Sequence, residues 1–147
     1  HLARLLPKLR EIPCEKPDTL GAVWRAKPVY LKMPINIPWE QFAELLAIAD
    51  TNGVQGVIIG NLNKEYGDLA YPEDAPKTFR GGLSGAPTFA LSNNLIQKTL
   101  EKYGKRFTII GTGGIFTPDD AMEKFRAGAD LIQLVSGMVF NGPGLIK

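Results

Sequence analysis

Two short apolar runs in the last third of the chain each close on glycine: Thr108-Ile-Ile-Gly-Thr-Gly-Gly-Ile115 and Leu131-Ile-Gln-Leu-Val-Ser-Gly137. Between them lies an amphipathic segment, Asp119-Asp-Ala-Met-Glu-Lys-Phe-Arg-Ala-Gly128. The succession strand, loop, helix, strand, loop makes one parallel βαβ unit. Glycine at both strand ends lets backbone N–H groups approach an anion where a Cβ would block it. In (β/α)8 barrels the loops after the last two strands commonly build a phosphate site. The pattern therefore predicts a site for a phosphate-bearing cofactor or substrate at the ends of two neighbouring strands.

Upstream, apolar runs at 28–33 and 54–59 read as two further strands, so strands begin near 28, 54, 107 and 130. Helical spacing marks residues 38–50, with Phe42, Leu45, Leu46 and Ala49 on one face and Pro38 as a first helical residue. Another helix is expected over 92–103, and leucines at 2, 5, 6 and 9 give a fourth, interrupted by Pro7. Residues 13–27 read as a loop, and 62–90 as a long active-site loop rich in Gly, Pro and charge. Two of the three strand intervals match the pitch of a β/α repeat; the third holds the long loop. A doubly wound sheet shares that pitch. A complete barrel needs roughly 250 residues, and this chain has 147. The expectation is α/β: the C-terminal part of a (β/α)8 TIM barrel, about four β/α units. Residues 1–147 would then be the C-terminal portion of a single barrel domain whose N-terminal half is absent; a small self-standing α/β domain is the alternative.

Charge excludes several function classes. Lys and Arg total 17 against 15 acids, a formal net charge of +2 without a basic block, which gives no support to nucleic-acid binding. One cysteine, Cys14, and one histidine, His1, supply neither a disulfide framework nor a zinc site. No apolar run reaches the ~18–20 residues of a membrane span.

Four places carry possible chemistry. Lys32 stands at the end of an apolar strand, where a cation can neutralise a phosphate or an anionic ring, or simply extend to solvent. Asn61, just past Ile58-Ile-Gly60, has the donors and acceptor to read a heterocyclic amide edge, or is a turn asparagine. Gly81-Gly-Leu-Ser-Gly85 permits a tight arc aiming a hydroxyl and amides inward, as a flexible hinge also would. Gly111-Thr-Gly-Gly114 gains weight from Val135-Ser136-Gly137 one strand later, since adjacent loops then converge on one anion. Asp119 and Asp120 sit at a helix N-terminus, where the dipole accounts for them.

Gly81-Gly-Leu-Ser-Gly-Ala-Pro87, Ile109-Ile-Gly-Thr-Gly-Gly-Ile115, Ala127-Gly-Ala-Asp-Leu-Ile-Gln133 and Ser136-Gly-Met-Val-Phe-Asn-Gly-Pro143, in that order, closely resemble the C-terminal half of dihydroorotate dehydrogenase. The last motif resembles the quinone-dependent, membrane-associated class. The resemblance implies a full-length parent that is an FMN-containing barrel oxidising dihydroorotate to orotate, with a quinone acceptor engaged through the missing N-terminal region. It implies a peripheral location on the cytoplasmic face of a bacterial inner membrane, or on the mitochondrial inner membrane. It assigns Lys32 to the flavin ring and Gly60 to the flavin side of the site. Ser84, Gly85, Gly113 and Gly114 fall to the phosphate and ribityl chain, Val135 and Ser136 to the phosphate cup, and Asn61 and Leu62 to the substrate. No catalytic residue falls in this chain, because the family's serine base lies upstream. The chain differs from the family at Gly60-Asn61-Leu62, where Thr-Asn-Thr or Thr-Asn-Ser is usual, and at Val135, where an aromatic residue is common. The chain alone is expected to be inactive and to self-associate. Other readings are a phosphosugar lyase or isomerase on the same barrel, and a divergent, non-catalytic barrel fragment.

Overall fold

Strand order separates the two architectures that share a β/α pitch. In the computed structural model, which describes residues 1–10, 28–67, 69 and 81–146, four parallel strands lie side by side in chain order. They are β1 (Tyr30–Met33), β2 (Gly56–Ile59), β3 (Thr108–Thr112) and β4 (Leu131–Gln133). A doubly wound sheet reverses its strand order at a switch point; this sheet does not. The four strands are consecutive units of a (β/α)8-type barrel.

The helices α1 (Leu2–Arg10), α2 (Trp39–Thr51), α3 (Phe89–Tyr103), α4 (Pro118–Ala127) and the short α5 (Ser136–Asn141) complete the described elements. Side chains alternate across each strand. Met33, Val57, Ile59 and Ile109 point to the helical face, each at most 1% exposed, and pack with Phe42, Leu46, Leu95 and Ile96. The opposite face carries Tyr30, 38% exposed, and Leu131, 53% exposed, at the two edges of the sheet. In a closed barrel that second face lines the interior.

Several boundaries differ from the sequence reading, each for a local reason. Pro38 is the N-cap of α2, not its first helical residue, because its ψ of 149° is extended. The helix expected from Ser92 starts at Phe89, after a 3-10 turn over Ala86–Thr88. Pro87 lacks an N–H, so it fits a helix entry where that donor has no partner, and the Ser92 hydroxyl donates back to the Thr88 carbonyl at 2.8 Å. The irregular segment therefore ends at Gly85. Ser136 and Gly137, expected in a loop, open α5, which at six residues is too short to show a period. In α1, Leu6 is buried, but Leu5 and Leu9 are exposed, so the leucine stripe is only partly used. The loop at 13–27, Cys14 and residues 70–80 of the long loop lie outside the described residues.

Candidate functional site

Both glycine-rich loops open at the same end of the sheet, where the strands finish. A cavity of about 150 Å3 there is lined by Lys32, Gly60, Asn61, Leu62, Ser84, Gly85, Gly113, Gly114, Val135 and Ser136. These are all ten candidates, and Thr88, Thr112, Ile115, Gln133, Leu134 and Gly137 join them. Among the described residues no carboxylate lines the cavity.

Each strand delivers its contribution through its last two residues or the turn beyond them. β1 brings Lys32, which is exposed and makes no ion pair among the described residues. β2 runs into Gly60 and Asn61. The Asn61 Oδ1 accepts from the Leu62 amide at 2.9 Å, as in a turn asparagine, while its carboxamide nitrogen makes no hydrogen bond among the described residues. β3 ends in consecutive glycines at φ of 98° and 74°, conformations that residues with a Cβ rarely adopt. A Cβ would also collide with Thr88 at Gly113 and with Phe89 at Gly114. The turn thus rests directly on the start of α3. β4 leads into Val135, 63% exposed, and Ser136. Ser136 Oγ meets Ser84 Oγ at 2.8 Å, joining the loop after β4 to the loop before α3.

The β3 turn is held at its far side by the N-terminus of α4. Thr117 and Asp120 form a capping box, with Asp120 Oδ2 accepting from the amides of Phe116 at 3.0 Å and Thr117 at 2.9 Å. Desolvation raises the Asp120 carboxyl, but these hydrogen bonds outweigh it and leave the pKa below the ordinary value. Asp120 therefore caps α4 as well as meeting its dipole.

Two buried residues outside the cavity's lining, neither marked by the sequence, tie its elements together. Asn63, 3% exposed, exchanges backbone hydrogen bonds with Leu83, at 2.7 Å each. Its side chain accepts from Asn36 Nδ2 at 2.8 Å and from the Glu65 amide at 2.9 Å, and donates to the Pro87 carbonyl at 3.2 Å. It ties the substrate-side candidates Asn61 and Leu62 to the phosphate-side candidates Ser84 and Gly85. Lys124 of α4, fully buried, is the second. An asparagine in a loop and a lysine in a charged helix carry no signal that would have singled them out. Among the described residues no group of three His, Cys, Asp or Glu side chains is placed to hold a metal ion.

The family model described as dihydroorotate dehydrogenase matches residues 5–147. The chain belongs to this family. It is 39% identical over 119 residues to the "Dihydroorotate dehydrogenase (quinone)" of Brucella melitensis biotype 2, which covers 81% of this chain and 32% of that protein. The protein of the same name from Brucella ovis is 38% identical over the same length. Among solved structures, the DHODH of Eimeria tenella in complex with ferulenol superposes with a TM-score of 0.70 at 27% identity, over 78% of this chain and 30% of that one. The ligand-free form from the same organism gives 0.71 at 27% identity, over 79% and 32%. The chain spans about a third of the length of the dihydroorotate dehydrogenases it matches.

Proposed function

We propose that this chain carries part of the flavin site of a dihydroorotate dehydrogenase whose full-length form binds FMN, oxidises dihydroorotate to orotate in pyrimidine synthesis and passes the electrons to a quinone. The observation that carries the reading is the gathering of two glycine turns, serine and threonine hydroxyls, two side-chain amides and the Lys32 ammonium into a single cavity that no carboxylate lines among the described residues. That donor set fits a phosphate monoester joined to a planar, electron-poor heterocycle. The cavity, about 150 Å3, is smaller than the roughly 300–1,000 Å3 of complete ligand sites. The rest of the parent barrel would enclose the remainder of the cofactor.

Gly113 and Gly114 would hold the phosphate through backbone amides, with the Ser136 and Ser84 hydroxyls closing the cup and Gly85 and Val135 shaping its walls. Lys32 would place a fixed positive charge at the ring, where negative charge develops. Asn61, through its carboxamide nitrogen, would orient the substrate's pyrimidine ring, with Leu62 and Gly60 forming the apolar floor beside it. FMN supplies the acceptor for a hydride from the substrate. The proton taken from the adjacent carbon would go to a serine base upstream of residue 1. The parent would be a peripheral membrane protein, on the cytoplasmic face of a bacterial inner membrane or on the mitochondrial inner membrane. No described helix is long and apolar enough to cross a membrane.

The test is to purify the full-length parent, record its visible absorbance and assay dihydroorotate-dependent quinone reduction. A yellow protein that turns over is expected; a colourless protein without turnover overturns the reading.

A further inference from the structure

Lys124 is the one charged side chain fully buried among the described residues, at 0% exposure. Its stem runs past Gly111 of β3, with Cδ 3.2 Å from where a Cβ would stand. The ammonium donates to Ser92 Oγ, to Asn93 Oδ1 at 2.7 Å and to the Phe89 carbonyl at 3.3 Å, and lies 4.6 Å from the centre of the Phe89 ring. Every one of these acceptors is neutral. Residues 88–97 of the α3 segment and 108–115 of the β3 segment contain no ionisable side chain. The acids that act on the ammonium, Asp120 and Glu123, belong to α4 itself, which also carries Asp119 and Arg126, and among the described residues none pairs with it. A buried cation without a paired anion is costly. The same first turn of α3 is the surface on which Gly113 and Gly114 rest.

We infer that Lys124 is a positioning residue and a second cation of the phosphate site: it fixes the α3 turn behind Gly113 and Gly114, and the anion those amides take supplies the counter-charge it lacks. The inference rests on the flavin reading above. Burial pulls the ammonium down to about 8, against the opposing pull of Asp120 and Glu123. An anion beyond the turn acts in the direction of those acids, so binding takes up a proton once the pH approaches that value.

The experiment titrates the apo form of the full-length parent with FMN and with riboflavin, which lacks only the phosphate. Lys124→Met keeps the length of the side chain and removes the charge. It should weaken FMN about ten-fold and leave riboflavin unchanged; equal losses for both, or none for either, overturn the inference. If the variant does not fold, the wild-type protein decides. Its FMN-to-riboflavin affinity ratio should fall between about pH 7.5 and 9.5, where the phosphate is already a dianion. A ratio flat over that range overturns the inference. A wild-type protein that binds neither flavin overturns the flavin reading, and this inference with it.

Discussion

The two ends of this sheet treat charge in opposite ways. Where the strands begin, charged groups are matched within the chain. Arg106 pairs with Asp50 at 2.6 Å and donates to the Val54 and Asp50 carbonyls. Lys105 pairs with Asp130 at 2.8 Å, and Asp130 also accepts from the Ile109 amide at 2.9 Å. Where the strands finish, Lys32, the glycine turns and the serines surround a cavity with no acid on its wall among the described residues. The contrast is the barrel's division of labour: one end holds the fold and the other is left to take a ligand.

The strongest way to break the comparison is to isolate the chain. Four strands leave the face bearing Tyr30 and Leu131 half-exposed, and open edges and apolar patches favour association. The 147-residue chain should elute as a dimer or larger species and show no dihydroorotate oxidation; an active monomer would show the ligand end to be complete without the rest of the barrel. Next, Lys32→Ala in the full-length parent should cost about 1.5–3 kcal/mol of flavin binding, as for a charge-assisted contact, with the melting temperature of the apo form unchanged. A lowered apo melting temperature with full flavin content would move Lys32 to the structural side of the division.

Lys124 gives a pH test of intermediate size. Its folded pKa, about 8, lies below the ordinary 10.5, so between those values the unfolded chain holds the proton and the folded chain does not. Stability should therefore rise with pH across that window, by about 1–3 kcal/mol, and urea melts of wild type and Lys124→Met should differ in slope there. The smallest effects belong to the base. Desolvation raises the Asp130 carboxyl, but the Ile109 amide and Lys105 together bring it below its ordinary value. Its contribution is thus present at neutral pH and lost as the pH falls through the carboxylate range. For a side chain 31% exposed, Asp130→Asn should cost about 1 kcal/mol. Lys105→Ala should cost about 0.2–1 kcal/mol, and neither should alter flavin affinity.

The strand ends were legible because their signal is local. An apolar run closing on Gly113-Gly114 or on Val135-Ser136-Gly137 needs no partner to be recognised, and the parallel sheet then brings such ends together. Lys124 was not legible, since Glu123-Lys124-Phe125-Arg126 reads as a solvated helix face. Only packing against the uncharged start of α3 buries it. Asn63 was hidden for a similar reason: its partners Asn36, Leu83 and Pro87 lie 20 to 27 residues away. The start of α3 at Phe89 was masked by Pro87, which reads as a breaker in sequence yet serves as an entry to the helix.

The clasp between Asn63 and Leu83 has a consequence for how such a chain can change over evolutionary time. The twenty-residue step from 63 to 83 is closed at its base by two backbone hydrogen bonds and the Asn63 side chain. By chain entropy alone, length added beyond that clasp costs about 0.6 kcal/mol for each doubling. Lineages are therefore free to lengthen, shorten or rewrite the segment while the residues on either side of the clasp keep their places. A loop-length series in the parent should show nearly constant flavin affinity until Asn63 itself is replaced.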